Sequence, residues 1–238
     1  MKIDLSAKEK KYLQEALSFT EAEKYIKKFN NKIFVIKYGG SALSNRYLAN
    51  NFAKDLVLIK RINNKIVNLI NQAGGKAISL PGHKKNLIEV NPLKKEMGFV
   101  GKPKKIKIKI IKNLLKKNYI PIIASLGFKG KKVFNINADI VAGALASSLS
   151  ATRFYFITNI KGVMDINNKL IKEITPKKAR ELIKKNIIKG GMIPKVETCL
   201  NAVKKSANAA VILDGKVPKL LLKEIFTTKG VGTLIGKK

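Results

Sequence analysis

Three short segments of this chain carry residue types that could handle phosphate. In Lys37-Tyr38-Gly39-Gly40-Ser41 a lysine ends a β-branched run and glycines follow it. Glycines let backbone N–H groups approach an anion, and an ammonium group supplies a point charge. The second segment is Asn135-Ile136-Asn137-Ala138-Asp139, leading into VAGALA at 141–146. Asn137 can cap the next helix, leaving Asp139 in its first turn. That helix is small and apolar enough to be buried, so an acid at its mouth needs a cationic partner. The third is Gly190-Gly191-Met192-Ile193-Pro194-Lys195, a glycine turn with a lysine in the first turn of the helix it opens. A cation there opposes the helix dipole, which is reasonable if it serves a bound anion. Each segment also has a plain alternative. The first can be an ordinary strand-to-helix turn, the second a cap and nothing more, the third one lysine among many.

Other chemistries find little support. No GxxxxGK[ST], GxGxxG after a strand, HExxH or GxSxG pattern occurs. The single histidine, His83, sits in PGHKK and reads as a solvated loop residue, so a Ser–His or Cys–His triad has little to draw on. Cys199 is the only cysteine, with no disulfide mate in the chain and no CxxC pair for zinc. No protein-held metal is expected. No run of ~18 apolar residues is present, and the start, MKIDLSAKEKKYLQEAL, has no apolar signal core. No membrane partner and a cytoplasmic location are expected.

The formal net charge is +34. One reading is a polyanionic partner such as RNA. The other is compositional drift, because lysines are dispersed from end to end among many Asn and Ile residues, all with AT-rich codons. The richest basic stretch, 102–117, alternates Lys with Ile and lacks interleaved aromatics. Nonspecific nucleic-acid binding at low salt follows from the charge in either case.

The elements that must position these segments can be read from periodicity. Residues 6–29 show helical spacing. Strands are predicted at 33–37, 76–80, 87–90, 120–124, 132–135, 154–158 and 210–213, and helices at 107–117, 138–150, 176–185 and 193–207. This alternation predicts a three-layer αβα sandwich with a mostly parallel central sheet, whose ligands sit at the carboxyl ends of the strands. Lys37, Asn135 and Thr158 all fall near such ends. The apolar spacing from Arg46 to Gln72 is odd: unbroken, it would form a helix of ~40 Å. It either breaks near Asn63–Asn64 or joins two helices once separated.

Taken in order, the lysine–glycine strand end, the NINAD turn and the GGMIPK helix start resemble the amino-acid kinase superfamily. Longer stretches narrow the resemblance to the acetylglutamate kinases: KIFVIKYGGSAL (32–43), NNFAKDLVLIK (50–60), NKIVNLINQAGGKAISLPG (64–82), FNINADIVAGALA (134–146), TNIKGVMD (158–165), IIKGGMIPKVETCLNAV (187–203) and EIFTTKGVGTLIG (224–236). The resemblance implies transfer of the γ-phosphate of ATP, with Mg2+, to the side-chain carboxylate of N-acetyl-L-glutamate in arginine biosynthesis. It assigns Lys37 and Lys195 to charge stabilisation on the phosphoryl group and Asp139 to orienting both lysines. Asn135, Gly39 and Gly40 are assigned to the substrate, and Thr158, Asn159, Gly162, Asp165 and Met192 to the nucleotide. It further implies an N-terminal helix (1–30), a kinase domain (31–238) with a substrate lobe to about 150 and a nucleotide lobe beyond, a homo-oligomer (dimer or hexamer) and arginine feedback.

The chain departs from the family at one place. After the DLVLIK helix, family members continue through a strand, an HGGGP loop, a helix and a hairpin with a substrate-binding arginine. Here Lys60 runs directly into Arg61-Ile62-Asn63-Asn64, and no HGGG occurs anywhere. Three readings follow: an impaired but active kinase, an inactive remnant kept for assembly or merely not yet lost, or a truncated gene model; a basic nucleic-acid-binding derivative of such a kinase is an alternative of another class. Glutamate 5-kinase and carbamate kinase are the neighbouring enzyme alternatives.

Overall fold

The computed structural model describes residue 28 and residues 32–37, 67–217, 220–227 and 230–236. The strands are β1 (Phe34–Lys37), β2 (Ala77–Ser79), β3 (Ile88–Pro92), β4 (Gly101–Ile106), β5 (Ile120–Ile122), β6 (Leu126–Lys129), β7 (Lys132–Asn135), β8 (Arg153–Thr158), β9 (Glu173–Ile174), β10 (Ala209–Asp214) and β11 (Thr233–Gly236). The helices are α1 (Ile108–Lys116), α2 (Ala138–Ser148), α3 (Pro176–Lys184), α4 (Met192–Lys205) and α5 (Leu220–Phe226). The chain forms two compact units, one of Met1–Gly40 with Ser150–Lys238, the other Ser41–Leu149. Apart from Lys28, which is helical, the expected helix over 6–29 lies outside the described residues, as do the turn at Gly39–Gly40 and most of the Arg46–Gln72 run; 67–72 are helical.

In the first unit a five-stranded sheet runs in the order β1-β8-β10-β11-β9. β1, β8 and β10 are mutually parallel, whereas β11 runs antiparallel to β10. Runs such as Phe154-Tyr155-Phe156-Ile157 and Ala210-Val211-Ile212-Leu213 have no polar alternation, the pattern of strands covered on both faces. Both runs are indeed buried throughout. On one face Tyr155, Ile157, Val211 and Leu213 pack with Leu220, and Leu221 and Ile225 of α5 close over them. Burial first, and the Glu224 charge second, push the Tyr155 phenol well above its ordinary pKa, so it stays neutral. Helix α4 packs along β8, β10 and β11 and buries Val196, Cys199, Leu200 and Val203. β1 comes from the N-terminal part of the chain, yet it pairs here because its register with β8 (Phe34↔Arg153 to Lys37↔Phe156) covers one more edge.

The second unit holds a parallel pair, β2–β5, and a four-stranded sheet in the order β4-β3-β6-β7. Three of its features escape sequence periodicity. β4, GKPKKI, carries a proline and many lysines and reads as irregular. It pairs with β3 across a register shift at Glu89/Val90, and Lys104 reaches Glu89 at 2.7 Å. β6 contains Gly127, whose Cβ would strike Val90 and lie 2.9 Å from the Ile88 carbonyl oxygen; only glycine lets these strands approach. The third is the 80–87 loop. Here Gly82 donates to Ala124 O (3.2 Å) and accepts from Ile88 N (2.7 Å). To close, Lys85 and Asn86 both take left-handed conformations, at φ 53° and 52°.

Asparagine tolerates that region, whereas lysine is strained by its Cβ against the next carbonyl. Lys85→Gly is therefore expected to raise the unfolding free energy by about 0.5–1 kcal/mol, glycine's greater entropy loss offsetting part of the relief. The midpoint of urea denaturation reads this directly; a lower midpoint would mean that the lysine side chain itself holds the turn.

Candidate active site

Parallel pairing brings the carboxyl ends of β1, β8 and β10 to one sheet edge. These ends are Lys37, Thr158 and Asp214, and Thr158 lies opposite Asp214 in register. The Lys37 ammonium sits 4.7 Å from the Phe156 ring centroid, where the ring's negative face favours a cation. Thr158 is buried and its hydroxyl donates to the Asn159 side-chain oxygen at 3.3 Å. Gly215 N donates to Thr158 O at 2.7 Å, and the Asp214 carboxylate accepts from Lys216 N at 3.0 Å. Sequence reasoning missed Asp214. Its one signal there is the Asp-Gly turn closing an apolar strand.

Helix α4 returns the chain to the amino end of β10 through the short link 206–208, where Asn208 N donates to Ala151 O beside the start of β8. A helix leading into a parallel strand begins at the carboxyl edge of the sheet. Lys195, near the start of α4, is thus carried toward the same edge as Lys37 and Thr158. Gly190 turns at φ 55° and Gly191 takes the N-cap position with no side chain to offer; Met192 N and Ile193 N donate instead to Lys189 O (3.2 Å) and Gly190 O (3.1 Å). The Lys195 ammonium donates to Gly191 O at 3.0 Å and lies across the mouth of the helix.

Between β8 and β9 the chain forms a hairpin over 163–171. Met164 bridges Leu170, and Ile171 N donates to Val163 O at 2.8 Å. Asp165 builds its tip, with one carboxylate oxygen accepting from Asn167 N and Lys169 N, both at 2.8 Å. Asp165 thus shapes the loop. Gly162 leads into the hairpin at φ 144°, a conformation L side chains avoid. Met192 opens α4.

Asn135 and Asp139 lie in the other unit, on either side of Asn137 in the β7–α2 turn. Asn137 caps α2 as its sequence position implies, accepting from Asp139 N (2.8 Å) and Ile140 N (3.3 Å). Asn135 N donates to Phe99 O at 2.8 Å. Gly39 and Gly40 lie outside the described residues. His83 differs from expectation: it is half-buried, and its Nδ1 has no hydrogen-bond partner among the described residues.

The sequence matches the Amino acid kinase family over residues 56–214. The acetylglutamate kinase of Zymomonas mobilis subsp. mobilis is 35% identical over 287 residues, covering 94% of this chain and 95% of that relative. This chain belongs to the amino acid kinase family. N-acetylglutamate synthase from Neisseria gonorrhoeae, complexed with coenzyme A and N-acetyl-glutamate, matches with a TM-score of 0.79 at 17% identity, over 92% of this chain and 63% of that one. This chain therefore spans less than two thirds of the synthase. Giardia lamblia carbamate kinase bound to AMP-PNP gives a TM-score of 0.59 at 15% identity, over 100% and 93%. At those identities the two structures speak to fold alone, the α/β architecture expected from the strand–helix alternation. Among the described residues no helix is long and apolar enough to cross a membrane.

Burial first, and the neighbouring Lys84 charge second, lower the His83 pKa from 6.5. The folded state then binds this proton more weakly than the unfolded chain does. The stability held by neutral His83 is complete above pH 6.5 and falls as pH drops toward the folded midpoint. As the only histidine, His83 gives a single Cε1–H resonance. Its NMR titration is expected to centre below 6.5; a midpoint at or above 6.5 would mean the ring is solvated.

Proposed function

We propose that this chain transfers the γ-phosphate of ATP to the side-chain carboxylate of N-acetyl-L-glutamate, forming an acyl phosphate and ADP. The observation that carries the reading is its likeness to acetylglutamate kinases along nearly its whole length, 35% identical over 94% of the chain. The sheet-edge arrangement of Lys37 and the α4 mouth with Lys195 suits that chemistry.

The acceptor carboxylate is already ionised near neutral pH, so it attacks phosphorus without a general base. A bond forms between a carboxylate oxygen and the γ-phosphorus, and the bond to the β–γ bridging oxygen breaks, its electron pair leaving with ADP. What remains for the protein is positioning and positive charge around the transferring group. Lys37 and Lys195 supply that charge. Their ammonium groups suit phosphate oxygens and not a metal, so Mg2+ belongs to the ATP phosphates, where it neutralises charge. Thr158, Asn159 and Gly162 take the nucleotide side on this reading. Asn135 for substrate and Asp139 for orienting the lysines rest on motif position.

The match with the Zymomonas mobilis kinase runs over 287 residues, more than the 238 of this chain. That supports reading the Lys60–Arg61 junction as the site of an internal loss, taking with it a glycine loop and a substrate-binding arginine. A kinase without that clamp loses affinity and orientation for its acceptor. A raised KM for N-acetyl-L-glutamate is the expected signature.

Hydroxylamine trapping with ATP, Mg2+ and N-acetyl-L-glutamate tests the proposal. Wild-type protein is expected to form hydroxamate, and Lys37→Ala and Lys195→Ala each to lower the rate by on the order of 10²-fold or more. Lys104→Ala and Lys107→Ala should stay within about twofold, as exposed lysines outside the three motifs. Folded wild-type protein that yields no hydroxamate would make the chain an inactive remnant.

A further inference from the structure

The buried hydroxyl of Thr233 joins the loop after β8 to the interior of the sheet. Thr233 opens β11 and is 0% exposed. Its Oγ1 accepts from Val163 N at 2.9 Å and donates to Ile171 O at 2.7 Å. One hydroxyl thus spans both stems of the 163–171 hairpin, using its single proton and a lone pair. Val163, at 1% exposure, has no solvent to fall back on. On its other side Thr233 pairs with Ile212 of β10, so the contact is anchored in the strand that ends at Asp214. Gly162 completes the fit: a Cβ there would lie 2.6 Å from both Thr233 Oγ1 and Leu170 Cδ1.

The hairpin tip needs no outside help, because Asp165 satisfies the amides of Asn167 and Lys169. What its own hydrogen bonds leave open is where the hairpin sits relative to the sheet edge. Lys172 O accepting from Leu234 N at 2.8 Å holds the stem that leads into β9. The stem that follows Thr158 through Asn159 and Gly162 is tied back through Thr233.

Resting on the nucleotide role proposed for Thr158, Asn159 and Gly162, we propose that Thr233 is a positioning residue for ATP. It does not touch the nucleotide. It sets the approach of residues 159–163 to the carboxyl edge of the sheet by clamping both hairpin stems. Valine has the shape of threonine but neither donates nor accepts, so it leaves the buried Val163 N–H unpaired and the part-buried Ile171 C=O without its donor, and the stem must shift to recover partners.

Isothermal titration of the full chain with Mg–ATP, alongside amide hydrogen exchange, is the test. Thr233→Val is expected to weaken ATP binding about tenfold, the worth of one buried unpaired polar group. In the hydroxylamine-trapping assay KM for ATP rises more than kcat falls. Thr233→Ser keeps the hydroxyl and restores wild-type affinity, which a purely volumetric role for the side chain would not give. Exchange should quicken over residues 159–171 in the valine variant while β8 and β10 stay protected. If the valine variant fails to fold, Thr233→Ala removes the same hydroxyl with no added methyl and carries the same expectation. Wild-type protein that binds ATP while the valine or alanine variant binds equally well overturns this inference alone. Wild-type protein that binds no ATP overturns the nucleotide reading and this inference with it.

Discussion

The parallel pairing of β1, β8 and β10 is the constraint on which the candidate site depends. Parallel strands end at a common edge, and their register sets how far each end reaches: Lys37 lies opposite Phe156, two residues short of Thr158, while Asp214 is level with Thr158. The same pairing sends α4 back across the sheet so that its mouth, with Gly190, Gly191 and Lys195, begins on that side. Slipping β1 by one residue would turn Lys37 onto the face that holds Phe34 and Tyr155, whose rings meet edge to face at 5.6 Å. Burial of aromatic side chains on both faces of β8 makes such a slip costly.

Charge is the other force that shapes this molecule. Lysines greatly outnumber acids, so the few carboxylates are drawn to cations where the fold allows. Glu181 meets Lys185 at 2.9 Å and Lys178 at 3.2 Å on one face of α3, and the Lys185 hydrogen bond is the larger cause of its lowered pKa. Glu89 is held low mainly by its hydrogen bond from Lys104. These pairs are exposed and contribute little to stability. Glu224 instead serves the backbone. It accepts N–H bonds from Val231 at 2.7 Å and Gly232 at 3.3 Å, closing the turn before β11. With so many uncompensated cations, a single lysine's role has to be argued from its place at a strand or helix end, as for Lys37 and Lys195. Charge alone does not distinguish them.

Much of the frame was legible because its determinants are local. β8 and β10 announce themselves as continuous apolar runs. Asn137 before a small apolar helix is a start signal, and its side chain does cap; the helix over 176–185 reads from its spacing, and Thr175, which that spacing does not single out, caps it by accepting from Lys178 N at 3.2 Å. The elements that went unread are those whose reasons lie elsewhere in the chain. β6 depends on Gly127 fitting under Val90, β4 on a bulge opposite Glu89, and β11 on joining β10 and β9 from the end of the chain. Helix α5 is short, and its apolar residues make sense only against Tyr155 and Leu213.

The amino-acid sequence by itself determined the class of fold, the order of most elements and the identity of the lysine, asparagine and aspartate side chains that family motifs single out. Those features rest on periodicity, caps and short motifs, which act within a few residues. The tertiary structure alone decided that Lys37 and Thr158 share an edge with Asp214, that His83 is half-buried, and that Thr233 holds a hairpin whose stems lie 70 and 62 residues away in the chain. Nothing local to Thr233 marks it, since its hydroxyl finds a donor and an acceptor only after β11 has paired with β10. The physical reason is range: a hydrogen bond between distant segments exists only once packing has brought them together, so no spacing in the sequence can encode it.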